Sequence, residues 1–154
     1  MRRKNQRGLT LVELIVAFTI MLLLTSMAVP LARTKVRRQR EQDLRYALRE
    51  IRTAIDKYKD ACESKQISND KLEADCYPES LEQLVEGVKP TGSPDKKVKF
   101  LRRIPKDPFT NSTDWGLRSN RDEPNSLSWG GQNVFDVYTK TMEKAPDGTN
   151  SSDW

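Results

Sequence analysis

Apolar and polar positions fall into three regimes along the chain. From Leu9 to Ala32 the residues are almost continuously apolar, and Glu13 is the only charged one. Such a run, wound as a helix, reaches about 36 Å at roughly 1.5 Å per residue, enough to cross hydrocarbon about 30 Å thick. The pattern then turns periodic. Leu44, Ala47, Leu48, Ile51, Ala54, Ile55, Tyr58 and Cys62 recur at spacings of three and four, and Arg45, Arg49, Glu50, Arg52, Asp56 and Lys57 take the positions between them. That is the stripe of an amphipathic helix. Together the two regimes predict one helix from about Thr10 to Cys62, kinked or frayed near Pro30, where proline removes a helical hydrogen bond and crowds the preceding turn.

Beyond Cys62 the pattern shortens. Residues 63–75 are polar and read as a loop. "YPESLEQLVEGV" predicts a short helix with Pro78 at its start, Leu81, Leu84, Val85 and Val88 on one face and Gly87 near its stop. "KPTGSPD" is turn-rich. Val98, Phe100 and Arg102 alternate in "KVKFLRRIP", and "SLSWGG" and "VFDVYTK" give two more candidate strands around Gly130 and Gly131. Three short strands forming a small antiparallel sheet across the helix stripe make an α+β layer arrangement.

Charge changes this picture mainly by where it lies. The net charge is +5 over 154 residues, but Arg2, Arg3, Lys4 and Arg7 precede the apolar run with no acid among them. Without those four, 23 basic residues face 22 acidic ones, so composition provides no basic surface for a nucleic acid. Arg33, Lys35, Arg37, Arg38 and Arg40 follow the apolar run and read as a solvated helix neck touching lipid headgroups. Four positive charges before the run and five after it leave orientation undecided by the positive-inside rule alone. The short basic start resembles a leader and favours a cytoplasmic N-terminus. Cys62 and Cys76 would then lie in an oxidising compartment, where they read as a disulfide closing the polar loop. Two buried reduced thiols are the alternative.

Processing has two readings. Ala28 and Ala32 in "TSMAVPLA" offer loosely spaced small residues for an ordinary secretory cut, which would discard the apolar run. The other reading is a cut before that run. The order of basic leader, Gly8, then Leu9-Thr10-Leu11-Val12-Glu13-Leu14 resembles the class III signal of type IV pilins and type II secretion pseudopilins. The resemblance implies that a prepilin peptidase cuts after Gly8 and methylates the amine of Leu9, although the family usually has Phe at that position. It also implies that Glu13 pairs with the N-terminal amine of a neighbouring subunit during assembly, and that Pro30 kinks the helix. An ionisable residue within a span calls for a named partner on physical grounds too. The plainer reading of Glu13 is an interfacial side chain that snorkels. Thr10, Thr19, Thr25 and Ser26 need no special role, since their hydroxyls can bond carbonyls of their own helix.

The later sequence narrows the resemblance to the major, G-type pseudopilin. Phe100-Leu101-Arg102-Arg103-Ile104-Pro105-Lys106-Asp107-Pro108, Trp115-Gly116, Asp136-Val137-Tyr138-Thr139, Asp147-Gly148 and Asp153-Trp154 are similar to its signatures. Two departures stand out: "FTNSTDW" replaces the usual aromatic-Gly-Asn-Pro-Tyr, and the acidic end loop is short. The family implies a calcium site near the chain end. Here Asp147 and Asp153 are the candidate ligands, with Asp136 and Glu143 close in sequence and Gly148 allowing a sharp turn. The plainer alternative is a solvated tail, and no cofactor is otherwise required. "NST" at Asn111 matches a glycosylation sequon and reads better as turn residues.

Enzymatic readings find little support. The chain has no His, no phosphate-binding glycine loop after a strand, and two Cys without zinc-ligand spacing. The resemblance divides the chain into a leader (1–8), a transmembrane and filament-core helix (9–32) and a periplasmic domain (33–154). It implies a pseudopilus subunit that polymerises with its own copies from the inner membrane. Its partners would be membrane lipid, prepilin peptidase, the assembly platform, the secretion ATPase and minor pseudopilins. A type IV pilin for adhesion or motility and a membrane-anchored periplasmic binding protein are the other two readings.

Overall fold

The computed structural model describes residues 10–67, 75–92, 96–145 and 148–154; the side chains of residues 27–31 fall outside this description. The expected leader and Leu9 therefore lie outside it. Helix α1 runs Leu11–Glu63 without a break, through the position of Pro30. Thr10 starts it: the Glu13 N–H donates to Thr10 Oγ1 at 3.3 Å, and the Leu14 N–H donates to the Thr10 carbonyl at 3.2 Å. Thr10 is thus an N-cap with an acid three residues on, where the helix dipole favours a negative charge. This corrects the expectation that Thr10 has no special role. Thr19, Thr25 and Ser26 behave as expected, each donating to a carbonyl three or four residues back.

The chain forms two compact units, residues 1–39 and 40–154. In the first, the described apolar side chains from Leu11 to Leu24 are exposed on every side of the helix. Among the described residues no helix is long and apolar enough to cross a membrane. The expected span, 9–32, includes Leu9 and the side chains at 27–31, which are not described.

In the second unit the stripe of α1 is the floor of the core. Leu44, Ile51 and Tyr58 are fully buried, and Leu48, Ala54 and Ile55 nearly so. Burying each large apolar side chain stabilises by roughly 1.5–3 kcal/mol relative to leaving it exposed. Helix α2, Leu81–Glu86, covers part of the stripe with Leu81 and Leu84. Its Ser80 makes no side-chain cap; instead Gln83 Oε1 accepts the Glu79 N–H at 2.8 Å. Gly87 ends the helix at φ +83°, where a Cβ would meet the Val98 carbonyl oxygen at 2.7 Å.

The sheet departs from expectation. Strand β1, Gly116–Arg118, pairs antiparallel with β2, Asp136–Tyr138, in the register Gly116 to Tyr138 and Arg118 to Asp136. Among the described residues these are the only two strands, where three were expected. "VFDVYTK" supplies β2. "KVKFLRRIP" gives only an isolated bridge between Val98 and Val88. "SLSWGG" is a loop because side chains satisfy its backbone: Ser126 Oγ donates to the Ser128 carbonyl at 2.8 Å, and Asp122, from the turn before it, accepts the Gly130 N–H at 3.0 Å. A long helix, a short helix and a two-stranded antiparallel sheet together make a pilin-like α+β arrangement.

Candidate functional site

The N-terminal end of α1 carries the residues on which an assembly role would rest. Leu11 and Val12 are about 75% and 69% exposed, and Leu22, Leu23 and Leu24 are similar. A helix apolar on all faces belongs in lipid or inside an assembly. Glu13 sits in its first turn, with its N–H held by Thr10. Gly8 and Leu9, where the cut is expected, lie outside the described residues.

The sequence signatures of the second unit converge on one corner. Asp107 is almost fully buried and is the centre of that corner. Its Oδ1 accepts the Phe109 N–H at 2.8 Å and the Thr110 N–H at 3.4 Å, and its Oδ2 accepts the Thr139 hydroxyl. Its backbone N–H and carbonyl are bonded to Ser112 and Asn111. Asn111 has φ +54°, a conformation Asn tolerates, which bears out the reading of "NST" as turn residues. Trp115 Nε1 donates to the Pro105 carbonyl at 2.9 Å. Gly116 lies under the Tyr138 ring, and a Cβ there would come within 2.3 Å of it. "KDP", "WG" and "DVYT" are therefore three sides of one packed joint. A buried carboxylate is tolerated there because both of its oxygens are hydrogen-bonded.

Cys62 and Cys76 are disulfide-bonded with Cα atoms 5.6 Å apart, as expected. Asp75 and Cys76 both take left-handed backbone conformations. Asp75 is anchored by Asn120 Nδ2 at 2.8 Å and by Arg121 at 3.6 Å, which ties the bridge to the loop after β1. That loop closes on Asp122, whose carboxylate accepts the Ser119 N–H at 2.7 Å and the Gly130 N–H at 3.0 Å. These two bonds, Ser119 first, hold its pKa below the ordinary carboxylate value.

The residues expected to hold calcium are described only in part. Asp147 lies outside the described residues. Asp153 is in a 3-10 turn, Ser151–Asp153, and accepts weakly from Asn150 and Ser152 at 3.3 Å each. Asp136 is engaged by two arginines: Arg52 Nε at 2.6 Å and Arg118 Nη1 at 3.7 Å. Among the described residues no cluster of three or more potential ligands forms. Among the described candidates, Asp136 is thus already paired with two guanidiniums, where calcium would need six to eight oxygens free to turn to it.

Sequence reasoning missed Arg52, Arg118, Asp107 and the capping role of Thr10. The cap had a signal, Thr10-x-x-Glu13, the spacing of a capping box. Asp107-Pro108 before polar turn residues also had one, since Asp readily caps a turn. Arg52 had none, because it bonds Asp136 across 84 positions of sequence.

These features, a helix whose described N-terminal side chains are apolar on all sides and whose amphipathic half underlies a small α+β domain, resemble those of pilin-like proteins. Comparison with known proteins agrees. Residues 3–29 match the prokaryotic N-terminal methylation motif. The chain is 27% identical over 146 residues to type II secretion system core protein G of Pseudomonas aeruginosa, covering 90% of this chain and 85% of that protein. The resemblance to type IV pilin-like proteins is thus supported on both counts, and the resemblance to the G-type pseudopilin by the second. No solved structure matched the chain.

Proposed function

We propose that this protein is a structural subunit of a type II secretion pseudopilus. The observation that carries the reading is the first half of α1. It exposes apolar side chains on all faces, has Glu13 in its first turn, and lies within the methylation motif. A free helix of this kind in water would expose a large apolar surface, so it needs lipid before assembly and other copies after it. Residues 9–32 would wait in the inner membrane with the 33–154 domain in the periplasm, where the Cys62–Cys76 bridge is at home.

Prepilin peptidase would remove residues 1–8 after Gly8 and methylate Leu9. Glu13 would then lie one helical turn from the new amine and pair with the amine of a neighbouring subunit, setting the axial step of the stack. The driving energy would come from the secretion ATPase through the assembly platform, with minor pseudopilins at the tip. The chain's own part is packing, a structural rather than a catalytic role. Similarity to core protein G favours this over a type IV pilin for adhesion or motility.

Glu13→Val tests the pairing. Removing the charge lowers the insertion cost by about 2–3 kcal/mol at most, so the variant enters the membrane normally. Assembly, measured by chemical crosslinking of cells and immunoblot of the subunit ladder in a host carrying the full secretion system, should fall to background. A wild-type ladder from Glu13→Val would refute the pairing. Short periplasmic fibres on overexpression fit the pseudopilus; long surface pili would favour the type IV pilin.

A further inference from the structure

The described part of the 143–154 segment returns to helix α1, and guanidinium groups fasten it there. Arg52 gathers four oxygens: Asp136 Oδ1 at 2.6 Å, Asp136 Oδ2 at 3.3 Å, the Val137 carbonyl at 3.2 Å and the Trp154 main-chain oxygen at 2.6 Å. Arg118, whose side chain is only 8% exposed, faces Asp136 Oδ2 at 3.7 Å and donates to the carbonyls of Ser126 at 2.9 Å and Ser152 at 3.4 Å. Arg45 adds a third contact, its guanidinium 4.2 Å from the centre of the Trp154 ring. The segment also closes on itself, with Ser151 Oγ donating to the Glu143 carbonyl at 2.8 Å.

Carbonyl and carboxylate oxygens drawn from a strand and a returning loop onto one positive centre are what a hard cation such as calcium uses to hold a loop. Here the positive centres belong to the chain. A divalent ion beside Asp136 would stand close to two guanidiniums and be repelled by both. Arginine can fill that place, because it stays charged at any physiological pH and its planar fork of N–H donors can serve several oxygens at once. We propose that Arg52, with Arg118, is a built-in cation that closes the 143–154 segment onto α1, so that this segment is held without calcium. The inference concerns the second compact unit alone and does not depend on the filament reading.

The test uses the full chain in detergent under limited trypsin digestion. Cleavage after Lys140 and Lys144 is followed by mass spectrometry, in millimolar calcium and in excess chelator. The wild-type protein should be cut at these two sites at the same slow rate in both buffers. Arg52→Gln should be cut there about tenfold faster in both, as expected when charge-assisted hydrogen bonds are lost. If Arg52→Gln is digested throughout, Arg52→Lys takes its place; it keeps the charge and the stem but not the fork, and should still accelerate cleavage at the two sites. A wild-type segment that is cut quickly in chelator and protected by calcium would overturn the proposal. So would a folded Arg52 variant cut at the wild-type rate.

Discussion

Gly116 and Tyr138 face each other across the two strands, and the fit between them leaves no room for a methyl group. The Tyr138 ring cannot swing away easily. Arg118 lies over it at 4.3 Å, and its hydroxyl donates to the Leu127 carbonyl at 2.9 Å. Gly116→Ala should therefore lower stability by about 1–3 kcal/mol, the usual cost of overpacking, seen as a lower urea midpoint with unchanged slope. Asp122 gives a second prediction, in pH. Its folded pKa is depressed by the Ser119 and Gly130 N–H groups, so its contribution is fully present above the ordinary value of 3.8 and is lost as pH falls through the lower folded value. The melting temperature of wild type minus that of Asp122→Asn should be constant near neutrality and shrink only in that acidic window. A difference that vanished already near pH 6 would contradict it. At this scale the sequence was legible for Cys62, Cys76 and Asn111, whose chemistry is local. It was opaque for Arg52, because helical periodicity places it on the polar side and nothing local marks Asp136 as its partner.

The helices could be read from the pattern because burial repeats along them. Every residue of the Leu44–Cys62 stripe is buried in the structure, and α2 ends at Gly87 as its left-handed backbone requires. The strands were harder. Each has three residues, too few for alternation to register, and β1 was noticed only as a "WG" signature. What positions them is the Asp107 corner and the Arg118–Asp136 contact rather than a hydrophobic rhythm. The disulfide acts at the level of elements, joining the end of α1 to the approach to α2. Closing a loop of about 15 residues stabilises by roughly 3 kcal/mol in the chain-entropy model. Cys62→Ser with Cys76→Ser should therefore lower the melting temperature by several degrees, and a reductant should shift wild type to the same value. A double variant melting with oxidised wild type would mean that the bridge adds nothing to this domain.

At the scale of the whole molecule, one chain carries two kinds of apolar surface. The stripe from Leu44 onward is satisfied within the 40–154 unit. The described apolar side chains from Leu11 to Leu24 are not satisfied within the chain, and this contrast was plain in the sequence as a change from continuous to periodic apolarity. The basic residues before Leu9 and the glycine at position 8 fit a start that is removed while the apolar helix is kept. An ordinary secretory cut after Ala28 or Ala32 would do the reverse and leave the domain with no assembly helix. The two outcomes differ by the mass of the whole apolar run, so intact-mass and N-terminal peptide spectrometry of the mature protein, isolated from cells that express prepilin peptidase, separates them directly. The account predicts a mature chain beginning at Leu9, heavier by one methyl group on its amine. A mature chain beginning at Val29 or Arg33 would contradict it.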